Sequence, residues 1–170
     1  MKTLRLIQYT SSILIAGLLA SCAATTTPSQ MAAPSVQISG RTSEKVSVFV
    51  SGGEPGPLKI SDEGFAEALR SSIQSSGVFG GVSDQGPYRL EAFIGTLSQP
   101  MMGFSMTVDM KVSYTLRKGG STVWQRTIDS THTATPGEAF VGVTRLRMAT
   151  EGAARENIRQ ALQALSRGAF

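Results

Sequence analysis

The residue of this chain with the clearest chemistry is Cys22, the only cysteine in 170 residues. Its thiolate is the strongest nucleophile among the side chains at neutral pH. A single cysteine cannot form an internal disulfide, and it cannot supply a cysteine-rich zinc site. The chemistry open to Cys22 is therefore covalent modification.

Cys22 closes a segment with the layout of a secretory signal. Lys2 and Arg5 form a basic start, and residues 6–20 are mostly apolar, which is an n-region followed by a short h-region. The strongly apolar part, residues 13–20, is much shorter than the roughly 20 residues that span a bilayer. The segment therefore predicts export rather than a permanent transmembrane helix.

The residues Leu19-Ala20-Ser21-Cys22 resemble the lipobox of bacterial lipoproteins at all four positions. The resemblance implies transfer of diacylglycerol to the Cys22 thiol, cleavage before it, and acylation of the new amino terminus, for example with palmitate. Two or three acyl chains anchor a protein far more firmly than one. Ala23, in place of Asp, implies transport to the periplasmic face of the outer membrane. The alternative is an ordinary cleavage site at which Cys22 is incidental.

The sequence carries no motif for nucleotide binding, metal binding or nucleophilic catalysis. A catalytic triad would have to join the only histidine, His132, to Asp129 or Asp109 and an unidentified serine. Glu91, Asp109 and Asp129 share one predicted sheet face, as acid/base work on a polysaccharide would require. Lys111 among them favours a surface ion-pair network instead. We therefore predict no enzyme, no cofactor and no metal.

Two predicted loops are unusually apolar, one over residues 99–104 and one over residues 135–143. Their large side chains can fold back and close the ends of the core. Exposed, they would contact a partner or lipid, since soluble proteins seldom leave such clusters uncovered without a use. The candidate partner-binding residues are Met101, Met102, Phe104, Phe140 and Lys111.

Periodicity of apolar residues places the remaining elements. Ser61 and Gly77 are suited to cap the first helix, and Arg147, Glu151 and Arg155 form a four-residue ladder along the border of the last one. Asn157, beside its apolar stripe, is expected to bond at the sheet edge or to a neighbouring turn. The predicted elements are a strand over 45–51, a helix over 62–76, strands over 88–94, 106–116 and 122–132, and a helix over 144–166.

The break over residues 118–121 predicts a hairpin whose register follows from its two faces. A two-residue loop would place polar side chains on the apolar face. A three-residue loop pairs Leu116 with Trp124 and sets Lys111 opposite Asp129, which satisfies both faces. We therefore expect Lys111 and Asp129 to be cross-strand neighbours on the solvent side.

The element order predicts an α+β two-layer sandwich. Its sheet is four-stranded and mostly antiparallel, in the order β-α-β-β-β-α, with both helices on one face. The chain divides into a signal peptide over 1–21, a lipidated amino terminus and flexible tether over 22–44, and a single domain over 45–170.

The lipobox, the tether and four segments (66–79, 112–116, 123–124 and 151–158) together resemble small uncharacterised bacterial envelope lipoproteins. The element order is also similar to lipopolysaccharide-assembly and transport-auxiliary lipoproteins, and more loosely to curli-secretion and penicillin-binding-protein-activator lipoproteins. Those families bind envelope proteins or lipids without catalysis, which is what the resemblance implies for this chain. No binding residue transfers, because no matching binding motif is present.

Three functions follow in order of preference. The first is a membrane-anchored periplasmic accessory lipoprotein that binds a protein partner or an envelope glycolipid, without catalysis, through its open sheet face, strand edges or loops. The second is a lipid or glycolipid carrier, and the third is a cell-envelope hydrolase. Nucleic acid is not an expected partner, because aromatic residues make up 6% of the chain and its formal charge of +4 falls to +2 once Lys2 and Arg5 are removed.

Overall fold

The computed structural model describes residues 25–169, in which helices cover one face of a four-stranded sheet. The α+β sandwich is confirmed, but the sheet is mixed: β1 and β2 are parallel, and the other two pairs are antiparallel. The parallel pair follows from the helical crossover between β1 and β2. The predicted signal peptide and Cys22 lie outside the described residues. The elements are α1 (Pro28–Met31), β1 (Val46–Ser51), α2 (Asp62–Ser76), β2 (Tyr88–Ser98), β3 (Met106–Lys118), β4 (Ser121–Ala134) and α3 (Gly142–Gly168).

The first long helix begins and ends where its caps predict. The Ser61 hydroxyl accepts a hydrogen bond from the Gly64 amide, and Gly77 ends α2 with a left-handed φ of 66°. Phe65, Leu69 and Ile73 are fully buried on one side of α2. They pack in the core between the sheet and the helices.

The β3–β4 hairpin has the predicted register. Leu116 lies opposite Trp124, and Lys111 lies opposite Asp129 with its Nζ 3.2 Å from the carboxylate. The turn itself differs from a three-residue loop, because it contains only Gly119 and Gly120, both with positive φ. The register shifts by one residue just after the turn, so the expected pairing holds through the body of the hairpin.

Residues 25–44 pack on the domain, so the predicted flexible tether is wrong over this stretch. Met31 and Ala33 are only 1% and 2% exposed, and the Ala33 amide donates to the buried Ser72 hydroxyl of α2 at 2.9 Å. Further along, the Ser39 amide donates to the Ser166 hydroxyl of α3. The short run Met31-Ala32-Ala33 and the separate Val36 and Ile38 give no lasting periodic signal, yet the burial of Met31 and Ala33 and these hydrogen bonds fix the segment.

Two members of the predicted ladder of Arg147, Glu151 and Arg155 bind the segment 25–44 instead of each other. They are Glu151 and Arg155. Glu151 is 3% exposed, and its carboxylate accepts hydrogen bonds from the Thr27 amide at 2.9 Å and the Thr27 hydroxyl at 2.8 Å. The Arg155 guanidinium donates to the Gln30 carbonyl at 2.6 and 2.8 Å. These side chains fasten the start of the described chain to the first half of α3.

Glu151→Ala is therefore expected to loosen residues 25–33 while the sheet stays folded. The substitution removes two charge-assisted hydrogen bonds and should cost about 1.5–3 kcal/mol of local stability. Hydrogen exchange of the amides of residues 27–33 measures the change. Glu67→Ala, at an exposed glutamate of α2, is the matched control and should leave exchange unchanged. Equal exchange in both variants would contradict the fastening role of Glu151.

Candidate functional site

The structure separates the residues of the hypothetical triad. His132 pairs with Val108 on the helix side of the sheet, where its ring lies against Gly152 of α3. Asp109 and Asp129 are exposed on the opposite face, because side chains alternate along each strand. His132 cannot act with either carboxylate through the sheet.

The three carboxylates of the open face are each engaged separately. Glu91 forms ion pairs with Arg89 at 2.9 Å and Arg117 at 3.1 Å, whereas Lys111 pairs with Asp129. Asp109 instead accepts a hydrogen bond from the Thr131 hydroxyl at 2.6 Å. The predicted ion-pair pattern is present, but as two separate groups rather than one network centred on Lys111.

Asn157 lies in the core rather than at the sheet edge. Its Oδ1 accepts from the Tyr114 hydroxyl at 2.9 Å, and its Nδ2 donates to the Ile128 carbonyl and the Ser130 hydroxyl, both at 3.0 Å. Burial raises the pKa of Tyr114, so its hydroxyl stays a donor at neutral pH. This buried network is fully bonded and joins α3 to β3 and β4, a structural role.

Two phenylalanines on the open sheet face escaped the sequence reasoning as site candidates. Phe49 of β1 is 51% exposed and Phe93 of β2 is 54% exposed. Because Phe49 pairs with Glu91 and Phe93 with Ser51, the two rings are diagonal neighbours on adjacent strands. The guanidinium carbon of Arg89 lies 5.0 Å from the centre of the Phe49 ring, a cation–π contact. The sequence does contain a signal for Phe49, because this residue alternates with the valines of its strand and therefore points to the opposite face of the sheet. We call Phe49, Phe93 and Arg89 the aromatic patch.

The apolar side chains of the two loops are exposed instead of closing the core. Met101, Met102, Phe104 and Phe140 are 99%, 88%, 83% and 92% exposed, and Val141 is exposed beside Phe140. Both loops lie at the same end of the domain, where β2 and β4 end and β3 and α3 begin. We call these five residues the apolar tip. Of the predicted site residues, four therefore come together at the tip, whereas Lys111 lies apart on the sheet.

Hydrogen bonds from α3 and from within the loop hold the loop that carries Phe140. Arg145, 8% exposed, donates from its Nη1 to the carbonyls of Ala139 at 2.9 Å and Phe140 at 2.6 Å. At the start of the loop, the Glu138 carboxylate accepts from the Thr135 amide and hydroxyl. These bonds, the backbone one first, hold the pKa of Glu138 below its usual range. The exposed position of Phe140 is thus built into the loop.

A surface cleft of about 390 Å³ lies between β4 and the second half of α3, at the end of the domain opposite the apolar tip. Trp124, Ile128 and Gln163 are among its lining residues. Within residues 25–169 no group of three or more histidine, cysteine or acidic side chains is placed to hold a metal ion. None of the helices in the described part of the chain is both long and apolar enough to cross a membrane.

The fold recurs in bacterial proteins of known structure. Protein XCC0632 from Xanthomonas campestris, of the DUF330 family, is similar with a TM-score of 0.61 and 11% identity, covering 85% of this chain and 94% of that one. A minor lipoprotein from Acinetobacter baumannii is similar with a TM-score of 0.52 and 10% identity, over 72% of this chain and 92% of the other. The PelC dodecamer from Paraburkholderia phytofirmans gives 0.51 and 18%, over 78% and 93%.

At these identities the likeness establishes a shared fold and no shared activity. No protein-family model and no curated protein sequence matches the chain. The chain therefore has the α+β fold of a group of bacterial proteins that includes a lipoprotein.

Proposed function

We propose that this chain is an accessory lipoprotein of the bacterial envelope, anchored through Cys22 to the periplasmic face of the outer membrane. It binds a partner protein through the open face of its sheet and catalyses no reaction. The lipobox-like residues at 19–22 support the anchor, and the likeness in fold to a lipoprotein agrees with it.

The aromatic patch is the observation that carries the binding role. The open face of a sheet like this one is usually polar, because it faces water. Two half-exposed phenylalanines on adjacent strands, with an arginine stacked on one of them, have a composition that is enriched at protein interfaces. On the β3 side, polar strand residues border the patch, as a rim borders the core of an interface.

Charge around the patch favours a partner with both signs of charge. Glu91 lies between Arg89 and Arg117, and Lys111 pairs with Asp129 further across the sheet. Such rim pairs contribute little energy but set register and orientation. The surface is suited to a specific protein contact rather than to a polyanion.

A role without catalysis is supported by how the polar groups are used. His132 packs against α3, the three open-face carboxylates have cationic or hydroxyl partners, and Asn157 is bonded inside the core. The lipid-carrier alternative has less support, because large side chains fill the space between sheet and helices. Tyr114, Phe65, Leu69, Leu162 and Leu165 are all essentially inaccessible to solvent.

Crosslinking from the sheet face tests the proposal. With a photoreactive benzoylphenylalanine in place of Lys111 in the lipidated protein, we expect one crosslinked envelope protein, identified by mass spectrometry. Adding Phe49→Ser and Phe93→Ser should reduce this product at least about tenfold, since two aromatic anchors together contribute more than 1.4 kcal/mol.

The control for this experiment is Val123→Ser, at an exposed apolar residue of β4 beside the hairpin turn. It removes apolar surface from the same sheet, three strands away from β1, and should leave the crosslinked product unchanged. Either no product from position 111, or a product equally strong in the Phe49→Ser and Phe93→Ser variant, would contradict binding at the aromatic patch.

A further inference from the structure

The apolar tip has no counterpart elsewhere in the described chain. It brings together five apolar side chains from two neighbouring loops, four of them almost completely exposed. Residues 99–105 carry no charged side chain, and Glu138 is the single charge within 135–143. An uncharged surface of methionine and phenylalanine needs an apolar environment that the domain itself does not supply.

The tip is held in its exposed form. The Arg145 guanidinium donates to the backbone carbonyls of Ala139 and Phe140. The Glu138 carboxylate accepts from the amide and the hydroxyl of Thr135. At the base of the other loop, the Gln99 side chain donates to the Leu58 carbonyl at 2.7 Å and the Thr150 hydroxyl at 2.8 Å. Both loops are thus fixed by polar contacts at their base, so their apolar side chains project from it.

The described chain begins at this same end of the domain. The Thr26 hydroxyl donates to the Lys59 carbonyl at 2.7 Å, and Thr27 is bound by Glu151. Along the chain, Lys59 follows Leu58 and Glu151 follows Thr150. Leu58 and Thr150 are the two residues that the Gln99 side chain binds. The start of the described chain and the base of the apolar tip therefore share one small cluster of contacts.

Distances along the chain decide where an anchor at Cys22 can act. Five peptide links separate Cys22 from Thr27, and they span at most about 18 Å. Along α3 at the helical rise, Glu151, which binds Thr27, lies about 14 Å from Gly142 at the tip end and about 26 Å from Gly168 at the far end. A lipid on Cys22 can therefore reach the end that carries the apolar tip, but not the end that carries the hairpin turn and Trp124.

We propose that the apolar tip inserts into the same lipid leaflet that holds the anchor, an inference that rests on the proposed lipidation of Cys22. Met101, Met102 and Phe104 enter the boundary between headgroups and acyl chains from one loop, and Phe140 and Val141 from the other. Contact at two points, the acylated cysteine and the tip, fixes the tilt of the domain as well as its distance from the membrane. The aromatic patch then stays in the aqueous phase, open to a protein partner.

Depth-dependent fluorescence quenching tests the insertion. The protein has a single tryptophan, Trp124, which packs against Gly168 at the far end of the domain. The lipidated protein is reconstituted into phosphatidylethanolamine and phosphatidylglycerol vesicles with brominated acyl chains. The variant Phe104→Trp with Trp124→Phe should lose at least about half of its fluorescence in these vesicles. The unsubstituted protein, whose Trp124 faces away from the lipid, should lose almost none.

The outcomes separate the insertion from the anchor. If the extracted protein carries no lipid on Cys22, the proposed anchoring fails. The insertion is then tested with the chain from residue 22 coupled to a maleimide phospholipid, which reacts with Cys22, the single cysteine of the sequence. Quenching of the Phe104→Trp variant on either anchor supports insertion. If bromine quenches the Phe104→Trp variant no more than it quenches Trp124 of the unsubstituted protein, on either anchor, the insertion is overturned. If bromine strongly quenches both positions, the orientation is overturned.

Discussion

Asn157→Ala is expected to lower the free energy of unfolding by about 3–5 kcal/mol, because it leaves buried polar groups without partners and opens a cavity. The Tyr114 hydroxyl loses its acceptor, and the Ile128 carbonyl and Ser130 hydroxyl lose a donor. Tyr114 is completely buried, so its hydroxyl has no access to bulk water as a replacement partner. Urea denaturation of the purified domain measures the change.

Two variants show whether the loss belongs to the network. Tyr114→Phe removes one bond and keeps the ring, so it should cost about 1–2 kcal/mol. Gln163→Ala, at a half-buried amide on the same helix, should stay within about 1 kcal/mol of the unsubstituted protein. An Asn157→Ala variant as stable as Gln163→Ala would show that the buried bonds do not join α3 to the sheet.

Cys22→Ser is expected to remove the protein from the outer-membrane fraction of the envelope. Serine cannot form the thioether, and each acyl chain contributes about 0.8 kcal/mol per buried methylene group. The loss of two or three chains should lower the fraction bound to the outer membrane by more than about a hundredfold, since we expect the apolar tip alone to provide only weak, reversible binding. Fractionation with immunodetection measures the distribution.

Ala24→Ser is the matched control, because it changes a neighbouring small residue and leaves positions 19–22 intact. It should remain with the membranes. Retention of Cys22→Ser at the level of Ala24→Ser would show that attachment depends on something other than the cysteine.

The packing of residues 25–44 changes how such an anchor works. A free tether of some 22 residues would let the domain lie at any angle, about 25 Å from the headgroups. With Thr27 fixed to Glu151 and Met31 buried, three peptide links remain between Cys22 and the first described residue. Under the proposed lipidation, an anchor at Cys22 would hold the domain close to the membrane, and the fold would determine which end of the molecule faces the lipid.

Local signals in the sequence predicted the elements that depend on local physics. Ser61 and Gly77 cap α2 because a side-chain acceptor and a left-handed φ are needed at those two points. The Lys111–Asp129 pairing followed from the requirement that one face of the hairpin be apolar and the other polar. The turn has two residues instead of three, but the one-residue register shift beside it restores the expected pairing.

Other features depend on tertiary contacts that no local pattern contains. Glu151 lies at a position that predicts a surface ladder, but the chain 124 residues earlier supplies its partners. Met31 and Ala33 belong to a run of only three apolar residues, so no local periodicity predicts their burial, and only the folded helices give them a place to be buried. The exposure of Met101 and Phe104 was one of two open alternatives, because their burial depends on loop geometry that composition does not specify.

The lipid anchor at Cys22 is tested by the mass of the amino-terminal peptide from protein extracted out of native membranes. We expect a chain that begins at Cys22, carries a thioether-linked diacylglycerol on its sulfur and is acylated on its amino group. A peptide that begins at another residue, or one that carries Cys22 as a free thiol, would contradict it.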